Sequence, residues 1–383
     1  MNDLDLVIRR GKWASKLSFF IAGFALSSWA PLVPYAKDRL HADASLLGTI
    51  LLFLGLGAVI GMPMASIFSN KFGCRKVTIL ASCGLVITLP LLAFLSTPVF
   101  FALALFFFGL SIGAIDVAAN IHGTQVQTLA QTPLMSNFHG FYSIGGLVGV
   151  TFTTLFLAFI QSSVFFAALL TAFIILICMI VASFNFLPHQ QPEEMPPLFV
   201  MPKGIVLIIG LLCLLVFLAE GAFLDWGAIL LVQEKQVDLR IAGIGYVAFA
   251  LALTISRFTG DKLVTRFGEN KILFLGLFVT GIGLLLTALS STMIFALLAI
   301  SITGLAAGNL VPIIFSLTAK QTIMPVSNAI SAVSFLGYLG VLLGPACIGY
   351  IAGFIGLNPT FYVLGGITIF SMMIVFFSKK IVI

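Results

Sequence analysis

Polar breaks divide this sequence into apolar runs of about 20 residues or more, the length a helix needs to cross the hydrocarbon core of a bilayer. Twelve runs can be counted, near 13–36, 44–69, 76–96, 99–124, 134–160, 163–186, 204–232, 241–265, 271–290, 293–319, 326–353 and 359–378. The pattern predicts an all-α membrane protein of twelve transmembrane helices. After the sixth run comes FLPHQQPEEMPPLFVMPK, whose Pro188, Pro192, Pro196, Pro197 and Pro202 prevent a continuous helix. It reads as a linker, 188–203, joining a six-helix bundle at 1–187 to a second at 204–383.

The two halves repeat each other. KFGCRKVTIL from Lys71 matches RFGENKILFL from Arg266, and Gly109 and Gly113 match Gly304 and Gly308, all at an offset of 195. In the next span Ser136, Asn137, Gly146 and Gly149 align with Ser327, Asn328, Gly337 and Gly340, at an offset of 191 because the second connection is shorter. Six spans per copy keep both copies in one orientation, a parallel repeat about an axis along the membrane normal. That architecture places the solute site between the halves, near the midplane.

Composition agrees with the pattern, since 60% of the 383 residues are hydrophobic and 8% are charged, against roughly 25% charged in a soluble domain. The net charge of +6 does not point to nucleic acid, because Lys and Arg cluster in the short loops, where membrane topology puts them. One set of ends holds Arg9, Arg10, Lys12, Lys16, Lys71, Arg75, Lys76, Lys203, Arg266, Lys271, Lys320, Lys379 and Lys380. That set is expected in the cytoplasm, with both termini. The N-terminus lacks a cleavage site of small residues, so the first span is expected to be retained. Five scattered cysteines have neither metal-ligand spacing nor an even disulfide framework.

The candidate chemistry begins at GLSIGAIDVAAN, where Gly109, Gly113, Asp116 and Asn120 share one stripe of a helix. An acid inside a membrane helix costs roughly 2.5 to 3.5 kcal/mol on insertion scales and usually lines a cavity or a proton path. Span seven adds Glu220 near its middle and Asp225 beside Trp226. Their spacing of five sets them on different faces of an ideal α-helix, though Gly221 between them can loosen it. His122 and His139 flank the ends of spans four and five and are candidate proton relays. Trp29 and Trp226 hold comparable places in spans one and seven, where a ring could stack on a sugar or anchor at the membrane interface.

Twelve spans, a parallel six-plus-six repeat and a basic Phe-Gly loop after spans two and eight resemble the major facilitator superfamily over the whole chain. The family's loop signature is degraded in the first copy, which keeps Asn70, Lys71, Gly73 and Arg75, and better kept in the second, with Arg257, Gly260, Asp261, Arg266, Phe267 and Gly268. The resemblance implies that Lys71, Arg75, Arg257 and Asp261 form a cytoplasmic gate, Arg257 and Asp261 being one helical turn apart. GAIDVAANIHG followed by MSNFHGFYSIGGLVG is similar to the fucose/proton symporter-like branch of bacterial sugar transporters. By that likeness Asp116 handles solute or proton, with Asn120 and Asn137 as polar partners. One departure stands out: that branch's proton carrier is an acid in span one, and FFIAGFALSSWAPLVPYAK contains none.

The expected protein is therefore a secondary transporter of the bacterial inner membrane and not an enzyme. It would move a small neutral, sugar-like solute with a proton, as a monomer among lipid, without cofactor, metal or nucleic acid. The other reading is an efflux antiporter for cationic or amphipathic compounds. No Lys or Arg lies centrally in spans one, four, five, seven, ten or eleven, which argues against strongly anionic solutes. The pattern GxxxGPxxG of drug/proton antiporters is absent from span five and occurs only in span eleven, as Gly340, Gly344, Pro345 and Gly349.

Overall fold

The computed structural model describes residues 3–132, 134–159, 163–189 and 200–377. The predicted linker falls largely on 190–199, outside the described residues. Two compact units emerge, one of Met1–His41 with Phe53–Glu194, the other of Ala42–Leu52 with Met195–Ile383.

In the first half, α1 (Asp3–Trp29) meets a 3-10 turn (Ala30–Leu32) and continues as α2 (Val33–Arg39). Then follow α3 (Ala44–Phe72), α4 (Cys74–Phe94), α5 (Pro98–Ala130), α6 (Met135–Phe159) and α7 (Val164–Ser183). The second half opens likewise with α8 (Ile205–Gly221), a π turn (Ala222–Trp226) and α9 (Gly227–Lys235). It continues through α10 (Ile244–Phe267), α11 (Glu269–Leu289), α12 (Met293–Ala307), α13 (Leu310–Lys320), α14 (Val326–Ile355) and α15 (Leu357–Phe377). Among the described residues, eleven helical segments are long and apolar enough to cross a membrane, and Leu357–Met373 is a shorter apolar one. The first helix starts ten residues ahead of the apolar run, because hydropathy marks the part of a helix that suits lipid and not its ends.

The packing inside each unit repeats with the sequence. In the first, α1 lies against α6, and α4 against α5 and α7; in the second, α8 lies against α14, and α11 against α12 and α15. Lipid supplies little hydrophobic drive for helix association, so close approach through small residues does this work. A Cβ on Gly109 would meet the Leu54 carbonyl oxygen, and one on Gly113 that of Ala58, both on α3. Their counterparts Gly304 and Gly308 meet the carbonyls of Phe249 and Leu253 on α10. All four pairs keep the offset of 195. The basic loops are duplicated as well: Gly73 has φ 87° and Gly268 φ 84°, a region where a side chain is disfavoured. Beside them the Lys71 amine lies 5.3 Å from the Phe72 ring centre, and the Arg266 guanidinium 5.3 Å from that of Phe267.

The start of α3 packs within the second unit. Gly48 sits against Gly349 and the Pro345 carbonyl, and Thr49 Oγ1 lies 2.9 Å from Tyr350 OH. The span-eleven glycine-proline run thus has a packing role, with Gly340 against Leu214 and Gly344 against Leu218 of α8.

Candidate functional site

Each unit carries acidic side chains within its apolar spans. In the first, Asp116 and Asn120 are half-buried on α5, one turn apart. Asn120 Nδ2 donates to the Asp116 carbonyl at 2.9 Å and reaches its Oδ1 at 3.5 Å. The spacing seen in the sequence thus becomes a contact. Asn137 and His139 lie on the first turns of α6 and are exposed. The His139 ring packs edge-on against Phe19, centres 4.9 Å apart.

His122 is buried on α5 and fully engaged. Its Nε2 accepts the Leu187 backbone N–H at 3.1 Å, its Nδ1 lies 2.8 Å from Ser15 Oγ, and its ring sits 4.6 Å from that of Phe186. With Nε2 accepting, the ring is the Nδ1–H tautomer and donates to Ser15. His122 thus ties the chain beyond α7 to α1 and α5.

The second unit places Glu220 in the last turn of α8 and Asp225 in the π turn that follows. Expecting different faces assumed an uninterrupted α-helix. A turn closed by i→i+5 bonds instead sets residues five apart about one turn from each other, and such turns recur at functional sites. Glu220 Oε1 is enclosed without a hydrogen-bond partner among the described residues. Arg257, expected at the cytoplasmic gate, lies on α10. Asp261 follows it by one helical turn on α10, and its side chain lies outside the described residues. Lys71 and Arg75 are exposed at the junction of α3 and α4.

Trp29 is 0% exposed and Trp226 1%. Trp29 lies 6.0 Å from Phe101, centre to centre, and Trp226 adjoins Gly349. Neither presents an open ring face for a sugar, because each fills the core beside the break in its span. Both indole N–H groups are enclosed without an acceptor among the described residues. One buried amide went unnoticed in the sequence: Asn309, between α12 and α13, donates to Ser256 Oγ at 2.8 Å. An amide inside an apolar span was the signal available.

The family model described as Major Facilitator Superfamily matches residues 17–226 and 209–381. The chain belongs to this superfamily. As a facilitator it is 38% identical to an uncharacterized MFS-type transporter of Yersinia pestis over 91% of this chain and 90% of that one. It is 24% identical to the multi-drug resistance efflux pump PmrA of Streptococcus pneumoniae over 92% of both. A crystal structure of a variant of the nucleoside transporter NupG matches the facilitator with a TM-score of 0.79 at 16% identity, covering 97% of this chain and 100% of that one. This last likeness shows the fold: twelve membrane helices in two six-helix bundles related by a parallel repeat.

Proposed function

We propose that this transporter is a proton-coupled symporter for a small neutral polar solute, sugar-like in its hydroxyl chemistry, in the inner membrane of a bacterium with both termini in the cytoplasm. The observation that carries the reading is a carboxylate within an apolar span in each unit: Asp116, whose Oδ1 lies 3.5 Å from the Asn120 amide, and Glu220, whose Oε1 is enclosed without a hydrogen-bond partner among the described residues. A buried charge is expensive and a neutral acid far less so. Binding a proton therefore favours whichever conformation encloses the acid, and a solute that binds the same conformation adds to that shift. The enclosed indole N–H groups of Trp29 and Trp226 supply donors suited to hydroxyl oxygens once the breaks beside them open. Lys71, Arg75, Arg257 and Asp261 are proposed as the gate.

The test is uptake of a panel of neutral sugars and nucleosides under an imposed inward proton gradient. Accumulation of one solute by the wild type, abolished in Asp116→Asn, is expected. Wild-type accumulation in that variant overturns the assignment of Asp116. The second reading, proton-coupled efflux of cationic or amphipathic compounds, draws on the likeness to PmrA. Raised drug sensitivity on deletion of the gene would favour it.

A further inference from the structure

Each half's first span is interrupted, and the helix beyond the interruption is short. Val33–Arg39 has 7 residues and Gly227–Lys235 has 9, below the roughly 12 to 15 at which an isolated helix becomes marginal. Something else must hold these segments. Both end on a cation that reaches the last carbonyls of a neighbouring helix.

Arg39 Nε donates to the Leu95 carbonyl at 2.9 Å and Nη2 to that of Leu92 at 2.5 Å, at the end of α4. Its guanidinium lies 5.9 Å from the Phe101 ring centre. Lys235, buried, donates through Nζ to the Ala288 carbonyl at 2.9 Å, at the end of α11, and to Asn358 Oδ1 at 3.1 Å. Asn358 Nδ2 in turn donates to Glu234 Oε2 at 2.7 Å. Carbonyls in a helix's last turn lack an intrahelical donor, and that end carries the negative pole of the helix dipole. A cation there answers both needs.

The device is duplicated. Arg39 and Lys235 are 196 positions apart, and so are Leu92 and Ala288, one more than the 195 that relates Gly109 to Gly304. A cation serving only membrane topology has no reason to return to the equivalent carbonyl in both copies.

We infer that Arg39 and Lys235 are positioning residues for transport: each fixes the segment beyond its break to a support helix, α4 or α11. Conformational change is then taken up at Ala30–Leu32 and Ala222–Trp226, beside Trp29, Glu220 and Asp225. This inference rests on the transport reading above. Neither cation touches solute; each acts through the break.

The test uses Arg39→Gln and Lys235→Gln, with Arg39→Lys as the conservative variant, in full-length protein reconstituted in liposomes. The solute is whichever member of the neutral panel the wild type takes up, and backbone hydrogen exchange is followed over 33–39 and 227–235. Each Gln variant should lower the maximal rate at least about fivefold, leave the half-saturating concentration within about twofold, and speed exchange in its own segment. Arg39→Lys, which keeps a donor for one carbonyl, should recover to within about twofold of wild type. A shifted half-saturation at unchanged maximal rate overturns the inference, as do wild-type rates alongside faster exchange. Where the Gln variants do not fold, Asn358→Ala decides: it must lower the maximal rate with half-saturation unchanged, or the inference falls. If the wild type moves no member of the panel, the transport reading fails, and unchanged exchange in the Gln variants then overturns the anchoring separately.

Discussion

Asp116 and Asn120 contact each other because residues four apart on a helix are neighbours, so this part of the candidate site was legible in the sequence. Removing the amide by Asn120→Ala takes away both bonds to Asp116. Proton-driven uptake should fall several-fold, short of the complete loss expected for Asp116→Asn; initial rates in membrane vesicles check this. The partners of His122 were not legible, since Ser15 and Leu187 stand 107 and 65 positions away and only the folded chain assembles them. His122→Phe strands the Leu187 N–H and the Ser15 hydroxyl, which costs about 1–3 kcal/mol for an unsatisfied buried group. Denaturation in detergent should show that loss. Transport per folded molecule should keep its wild-type pH profile between about pH 6 and 8, where a relaying histidine would titrate.

Helices were legible through their hydropathy, and their contacts through glycine. Gly109, Gly113, Gly304 and Gly308 stood out by spacing, and each faces a carbonyl oxygen of α3 or α10. A side chain at Gly109 or Gly304 must push two backbones apart, and overpacking typically costs about 1–3 kcal/mol. Gly109→Val and Gly304→Val should each lower the melting temperature by several degrees. Gly221→Ala should leave it unchanged, because nothing lies within 4 Å of a Cβ there; fluorescence melts of the three variants check the contrast. The π turn was not legible. Gly221 hinted at a loose helix, but an inserted residue in the hydrogen-bond ladder depends on how α8 and α9 are held at their far ends. The same limit hid the roles of Arg39 and Lys235, whose carbonyl partners stand 53 or 56 positions away.

Duplication organises both halves: the glycine seams and the loop glycines Gly73 and Gly268 repeat at an offset of 195, the cation clamps repeat at 196, and the first span of each half is broken. Membership of the Major Facilitator Superfamily follows from that architecture and from the family match. The solute leaves a weaker mark, because few side chains distinguish one polar solute from another. The central claim is that solute and proton move together in one direction. It is tested most directly on purified protein in liposomes loaded with an interior pH dye, adding neutral sugars, nucleosides and amphipathic cations outside with no imposed gradient. Interior acidification on addition of one neutral solute, lost in Asp116→Asn, is expected. Interior alkalinisation on addition of a cation, with no response to any neutral solute, would contradict it.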